Sequence, residues 1–276
     1  MNTSIEKKAI RLLQLMRCRT AIVVHNPVKG RDEIETQPEI AMIRRNATVL
    51  IVHDEDLARG LRSYRNVVVA AHPAYFAWAD ATTRAEVDER AHNVALFLGS
   101  ARPDKGFDQL PEIAHELAAE GYSLRCAIGR LTVVQESTLT EAPNIEVLYG
   151  ADGHISNQDM RDAIDGSTVL IAPYSNVTAS GTILMAMSVG LPVVAYHNDG
   201  LEELIGPNRL ANPATAKNLV QCVTRTSNSD SQEVLRKMRL HDERARIEWT
   251  AAIESLLSYV SARGEKSKKA RNRRVA

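Results

Sequence analysis

The stretch from residue 168 to residue 205 constrains the fold of this 276-residue chain more than any other. Thr168–Ala172 and Leu191–Tyr196 are short, uninterrupted apolar runs, the pattern of strands buried on both faces of a parallel sheet. Between them, a polar loop precedes an apolar segment over 181–190 that ends in a glycine, as helices commonly do. The order strand, loop, helix, strand, loop, helix therefore predicts an α/β fold.

The same alternation of strand and helix runs through the rest of the chain and predicts parallel, Rossmann-like sheets. A polar connector separates a partial α/β domain over 1–92 from a complete α/β domain over 93–245. We expect a closing helix over 246–263. The tail over 264–276 carries six Lys and Arg side chains against one Glu, which predicts a disordered basic segment with at most weak attraction to anionic lipid.

Composition excludes several classes of protein. Lys and Arg together number 34, as do Asp and Glu, so net charge gives no reason to expect nucleic-acid binding. The three cysteines are isolated along the chain, which indicates a reducing compartment rather than a disulfide framework. No apolar run approaches the roughly 20 residues that span a bilayer, and no signal peptide begins the sequence. We therefore expect a cytoplasmic protein, at most peripheral to a membrane.

The start of the helix predicted near Gly181 favours an anionic ligand. The backbone N–H groups of Ser180, Gly181 and Thr182 would lie where intrahelical acceptors are missing and the helix dipole is positive. Gly181 would also let a bulky oxyanion approach the backbone closely. The alternative is an ordinary serine N-cap followed by a small residue that serves packing. Spacing alone leaves both interpretations open.

Several residues of this stretch recur together in one family. They are Pro173, Tyr174, Ser180, Gly181, Ala186, Gly190, Pro192–Ala195, Gly200 and Glu203. In this pattern the stretch resembles the donor site of GT-B sugar-nucleotide glycosyltransferases, the group 1 or family 4-like type. The resemblance implies that the serine-glycine turn, with Thr182, holds the donor diphosphate. It also implies that Glu203 and Thr178 bind hydroxyl groups of the donor sugar or ribose.

A second segment, residues 93–117, predicts a strand, a loop that starts at Gly99, and a helix. Arg102 and Lys105 lie in this loop, at the end of a strand where α/β folds place ligand groups, and their cations suit a diphosphate. A solvated loop with two charges is the alternative. The segment resembles the F-x-G-x-I-R-P-x-K-G phrase of the same family, which implies that Gly99, Arg102 and Lys105 bind the donor diphosphate and that the two cations act in catalysis by neutralising it as it leaves. No metal or cofactor is then required.

Three histidines follow predicted strands near the start of the chain: His25, His53 and His72. The phrases around them resemble the second half of a GT-B N-terminal domain, which implies a catalytic place for His25 near the transferred sugar. The alternative is a histidine that caps a neighbouring loop. The three are not at the sequence spacing of metal ligands. We therefore expect His53 and His72 to be structural, and no metal site.

Two features depart from the family. Many relatives carry two glutamates, spaced E-x7-E, at the positions that hold Val177 and Met185 here, and neither side chain can hydrogen-bond a hydroxyl. The family also begins with a strand and a glycine-containing loop ahead of the point where this sequence starts. We therefore expect a truncated N-terminal domain that a partner chain or self-association completes.

The resemblance implies a hexosyltransferase-type enzyme of polysaccharide biosynthesis. It would transfer a sugar from a nucleoside-diphosphate sugar to a saccharide or a lipid-linked acceptor. The two departures favour a rival interpretation, in which the chain is a non-catalytic or degenerate nucleotide-sugar-binding subunit that needs a partner chain.

Overall fold

The structure is a computed structural model, and it describes residues 4–25, 38–80, 93–149, 153–175, 180–226 and 231–272. The helices are α1 (Ser4–Leu15), α2 (Pro38–Asn46), α3 (Glu55–Gly60), α4 (Phe76–Asp80), α5 (Leu110–Ala119), α6 (Val133–Thr140), α7 (Asn157–Asp165), α8 (Gly181–Ser188), α9 (Asp199–Ile205), α10 (Ala216–Arg225) and α11 (Ser231–Asn272). The strands are β1 (Ala21–Val23), β2 (Val49–Val52), β3 (Val67–Val69), β4 (Val94–Gly99), β5 (Ser123–Ile128), β6 (Ile145–Leu148), β7 (Val169–Ala172), β8 (Val193–Tyr196) and β9 (Leu210–Ala211).

The chain folds as two compact units, one of residues 1–73 and 243–276, the other of residues 74–242. The division falls ahead of the boundary predicted at residue 92, because Phe76 and Trp78 of α4 pack against the core of the second unit. The predicted connector over 82–92 lies outside the described residues.

The first unit contains a three-stranded parallel sheet in the order β1-β2-β3. β2 is the central strand, and all four of its residues are buried. Part of this burial comes from the far end of the chain, because Trp249 and Ala252 of α11 pack against Val49 and Ile51. The indole N–H of Trp249 donates to the Ala71 carbonyl at 2.9 Å.

The second unit contains a six-stranded parallel sheet in the order β6-β5-β4-β7-β8-β9. Every residue of β7 and β8 is buried, as their uninterrupted apolar runs predict. One hydrophobic core joins these strands to residues of α5, α8 and α10. The predicted α/β class, with parallel Rossmann-like sheets, is thereby confirmed.

The order of the six strands positions the site. From β4 the chain proceeds outward through β5 and β6, and then returns to β7 on the other side of β4 and proceeds outward through β8 and β9. The direction of winding therefore reverses between β4 and β7. In open α/β sheets, the carboxyl ends of the strands at such a reversal flank the crevice where ligands bind.

The C-terminal segment differs from its prediction. Disorder was expected from residue 264, whereas α11 continues to Asn272. The segment is rich in Lys, Arg and Ala, all of which favour the helical state. Among the described residues, no helix is both long and apolar enough to cross a membrane.

Candidate functional site

The loop after β4 carries two cationic side chains, one exposed and one half-buried. The guanidinium of Arg102 is exposed and forms a paired contact with the Asp104 carboxylate, with Nε donating at 2.8 Å and a terminal nitrogen at 2.5 Å. Lys105 is half-buried, and burial lowers the pKa of its ammonium group; the nearby Asp104 opposes this shift and Arg102 adds to it. One cation is thus held at the surface by a carboxylate, and the other is partly desolvated.

A close backbone contact brings this loop against the loop after β7. Gly106 has a φ of 74°, and a β-carbon at this position would overlap the carbonyl oxygen of Pro173. Only glycine satisfies both the left-handed backbone and the close approach. The amide of Ser175 donates to the Asp104 carbonyl at 3.2 Å and adds a hydrogen bond between the same two loops.

Tyr174 connects Lys105 to the start of α8. The ammonium nitrogen of Lys105 lies 3.9 Å from the centroid of the Tyr174 ring, a distance at which a cation is attracted to the aromatic face. Burial raises the pKa of the Tyr174 phenol, and the side chains of Ser180 and Thr182 lie close enough to oppose that shift. A single buried ring therefore lies beside the cation and both hydroxyl side chains.

Ser180 occupies the N-cap position of α8, but its side chain does not cap the helix. The first helical hydrogen bond runs from the amide of Leu184 to the Ser180 carbonyl, at 3.1 Å. The amides of the first turn precede that bond, and backbone amides at a helix N-terminus bind anions readily. Because the Ser180 hydroxyl bonds no amide of the first turn, the geometry favours the anion interpretation over the ordinary serine cap.

Gly181 faces the side chain of Tyr75. A β-carbon at Gly181 would lie 2.9 Å from the Tyr75 hydroxyl. The backbone of Tyr75 is held in turn by α8, since its amide donates to the Ser188 hydroxyl at 2.9 Å. Partial burial raises the pKa of the Tyr75 phenol. The Tyr75 hydroxyl therefore lies beside the α8 N-terminus.

The profile of the family described as "Glycosyl transferases group 1" matches residues 92–229, half of the chain. The chain belongs to this family. It is a glycosyltransferase, and the matched region contains β4 to β9 with both loops of the site. Comparison with curated proteins gave no match.

Solved structures establish the fold of this glycosyltransferase as GT-B. The Anabaena protein HepE in complex with UDP and glucose matches with a TM-score of 0.63 at 13% identity, over 91% of this chain and 76% of HepE. Sucrose-phosphate synthase of Thermosynechococcus elongatus matches with a TM-score of 0.62 at 18% identity, over 94% and 71% of the two chains. The α,α-trehalose 6-phosphate synthase of Burkholderia multivorans matches with a TM-score of 0.67 at 14% identity, over 93% of this chain and 70% of the synthase.

The structure brings together some of the residues predicted for the donor site of the glycosyltransferase. Lys105, Ser180 and Thr182 meet around Tyr174. The remaining predicted residues nearby are Arg102 in the same loop as Lys105, Gly181 at the start of α8, and Gly99 at the end of β4. Of the two predicted donor-hydroxyl residues, Glu203 is exposed on α9, and Thr178 lies outside the described residues.

In the first unit, the strands bring together three histidines that lie far apart in the sequence. The ring centroids of His25 and His53 are 4.7 Å apart, and those of His53 and His72 are 4.8 Å apart. Their spacing along the chain argued against a common site, but parallel strands that end at one edge of a sheet make sequence spacing irrelevant. Burial lowers the pKa of His53 and of the partly shielded His25 ring, and the neighbouring His72 imidazole lowers both further.

Sequence reasoning missed three residues of the candidate site. Tyr174 was noted only as a member of a family phrase and Tyr75 was not singled out, although both lie beside the start of α8. Asp104 was not singled out at all, although it holds Arg102. The signal for Asp104 was its position between the two cations, where a carboxylate pairs with one of them at short range.

Proposed function

We propose that the glycosyltransferase transfers a sugar from a nucleoside-diphosphate sugar to a saccharide or a lipid-linked acceptor. The observation that carries this proposal is the arrangement around Tyr174, at the reversal between β4 and β7. There a desolvated ammonium group and an uncapped helix N-terminus lie on two loops that are in backbone contact. This arrangement suits a diphosphate, which carries several negative charges and many acceptor oxygens.

The same groups would act on the transition state. As the bond between the sugar and the diphosphate breaks, negative charge develops on the departing phosphate oxygen. Groups that already point at that charge lower the barrier, because little reorganisation is needed. We propose that the Lys105 ammonium and the amides at Ser180–Thr182 supply most of this stabilisation, and that Arg102 exchanges Asp104 for a phosphate oxygen when the donor binds. From the family resemblance, His25 is proposed beside the transferred sugar, with Glu203 and Thr178 on donor hydroxyls.

UDP is the first nucleotide to test. The HepE structures contain UDP with glucose or UDP-glucose, and one similar trehalose-phosphate synthase is described as UDP-forming. GDP is the comparison, because the diphosphate is common to both and only the base differs. Preference for one nucleotide would then reflect contacts to the base.

Calorimetric titration with UDP and GDP tests the donor site. We expect micromolar binding of at least one nucleotide, weakened about 100-fold or more in the Arg102→Ala, Lys105→Ala double variant, since hydrogen bonds to charged groups contribute about 1.5–3 kcal/mol each. The matched control is Lys217→Ala, Arg225→Ala, which removes the same charges from exposed positions on α10. If a folded chain bound neither nucleotide, or if both double variants lost affinity equally, the proposal would be wrong.

One observation favours the rival function, a nucleotide-sugar-binding subunit without activity. Met185 is half-buried against the hydrophobic core, at one of the positions where many relatives carry a glutamate. The rival predicts nucleotide binding as above, but no release of free UDP or GDP from the nucleotide sugar in the presence of saccharide or lipid-linked acceptors. Release that depends on acceptor and is lost in the Arg102→Ala, Lys105→Ala variant would exclude it.

A further inference from the structure

Three imidazole rings meet at the carboxyl edge of the sheet in the first unit. His53 follows β2 directly, and His25 and His72 lie within three residues of the ends of β1 and β3. One ring nitrogen from each histidine lies within 4.8 Å of those from the other two. Because the strands are parallel, their ends deliver all three side chains to the same edge. The burial of the three is graded, with His53 buried, His72 half-buried and His25 exposed.

Backbone carbonyl groups fix the protons on two of the rings. Nδ1 of His53 lies 3.0 Å from the Ala70 carbonyl, and Nδ1 of His72 lies 3.0 Å from the Pro73 carbonyl. A carbonyl oxygen only accepts hydrogen bonds, so Nδ1 must carry the proton in both rings. In the neutral rings the lone pair is then on Nε2. A histidine that ligates a metal characteristically donates its second N–H to a carbonyl or carboxylate in this way.

The spacing of the nitrogens is also close to that of metal ligands. Nε2 of His53 lies 3.0 Å from Nδ1 of His25. Two nitrogens bound to one tetrahedral zinc ion, each at about 2.0–2.1 Å, are about 3.3 Å apart. The widest separation, 4.8 Å, can close by rotation of the exposed His25 or the half-buried His72, while buried His53 stays fixed.

We propose that His25, His53 and His72 bind one divalent transition-metal ion of the zinc class. Three imidazole nitrogens form a ligand set that suits zinc, nickel, copper and iron rather than calcium or magnesium. Three protein ligands leave a fourth position for water or another small ligand. The site lies within the first unit and goes beyond the proposed function, which places His25 beside the transferred sugar but assigns no metal and no role to His53 or His72.

The test is metal binding by the whole, untagged chain without nucleotide. We expect one equivalent of Zn²⁺ to bind, and X-ray absorption at the zinc edge to give nitrogen neighbours at about 2.0–2.1 Å with the outer-shell scattering of imidazole. Mg²⁺ at the same concentration should not compete, because it prefers oxygen ligands. Co²⁺ should bind in place of zinc and give a visible absorption that reports its coordination.

His25→Ala and His72→Ala are the diagnostic variants, because neither removes a fully buried side chain. Each should weaken Zn²⁺ binding by more than the roughly 10- to 100-fold typical of losing a group that only supports a ligand. The control is His115→Ala, which removes an exposed imidazole whose Nδ1 is likewise paired with a carbonyl, that of Pro111. Circular dichroism confirms that each variant is folded.

Two results would overturn the proposal. One is a folded wild-type chain that binds no stoichiometric Zn²⁺, in which case the imidazoles only hydrogen-bond one another. The other is binding that both His25→Ala and His72→Ala retain, which would place the ion elsewhere on the chain. Neither result bears on nucleotide binding by Lys105 and its neighbours, so a failure of this inference and a failure of the proposed function are distinguishable.

Discussion

Lys105 lies where burial destabilises its positive charge. Burial lowers the pKa of its ammonium group, so the protein stabilises that charge less well than water does. The face of Tyr174 compensates in part, because a partly desolvated cation gains up to about 2 kcal/mol over an aromatic ring. A cation that has already lost part of its water shell can bind an anion without losing that water again. Perturbed groups of this kind are characteristic of functional sites.

The lowered pKa predicts how nucleotide affinity depends on pH. Lys105 is charged below its pKa and loses its charge as the pH rises through it, so affinity for UDP or GDP should fall at a pH below the ordinary lysine value of 10.5. Lys105→Arg should keep more of its affinity over that range, because a guanidinium group stays protonated. Titration calorimetry at increasing pH measures both profiles.

The ligand also titrates, but it does so identically with both proteins, and the difference between the profiles therefore reports Lys105. Lys217→Arg, at an exposed position on α10, is the control and should follow the wild type. Parallel profiles for the wild type and Lys105→Arg would contradict the assignment of the cation to this site.

At the scale of elements, the site depends on two loops that meet through their backbones. The contact between Gly106 and Pro173 leaves no room for a β-carbon, and it places Lys105 beside the ring of Tyr174. β4 and β7 are adjacent, but adjacency alone brings only the ends of the strands together. The loop contact then sets the positions of the side chains.

Gly106→Ala should therefore destabilise the second unit more than its backbone conformation alone explains. A β-carbon in the left-handed region costs about 1–2 kcal/mol. Gly121 provides the matched control, because its φ of 75° is nearly the same as the 74° of Gly106, but nothing lies within 4 Å of a β-carbon there. Gly121→Ala should lower the free energy of unfolding by the backbone cost alone. Gly106→Ala should lower it by that cost plus the cost of the overlap with Pro173. Urea unfolding monitored by far-ultraviolet circular dichroism measures both, and equal losses would contradict the packing argument.

The strands in which every residue is buried could be predicted from the sequence. β7 and β8 are buried at every position, and their apolar runs indicated them directly. β9 has only two residues, too few for any periodic signal. α6 was also missed, because Val133 and Val134 are both exposed and no apolar face marks the helix. Its usable signal was the capping box formed by Thr132 and Gln135.

At the scale of the whole molecule, the sites follow from strand order, which a single sequence does not display. The placement of Arg102 and Lys105 in one loop could be predicted, because both lie in one short phrase that resembles the family. The grouping of His25, His53 and His72 could not, since it depends on three strands that pair in parallel and end together. Sequence separation carries no information about such a grouping once the strands lie side by side.

The first unit is built from both ends of the chain, whereas the second is one continuous segment, and this difference gives a final prediction. The first unit joins the start of the chain to its C-terminal helix through Ala71, whose amide donates to the Glu248 carboxylate at 2.7 Å and whose carbonyl accepts from Trp249 at 2.9 Å. Trp249→Phe keeps an aromatic ring but removes the N–H donor, a loss of about 1 kcal/mol. Amides of β2 and β3 should then exchange with solvent about fivefold faster, while those of β4, β7 and β8 keep their protection. Ile247→Ala, at a position 71% exposed on the same helix, should change neither group. Hydrogen exchange followed by mass spectrometry measures both sheets in one experiment, and equal acceleration in the two would mean that α11 does not stabilise the first unit selectively.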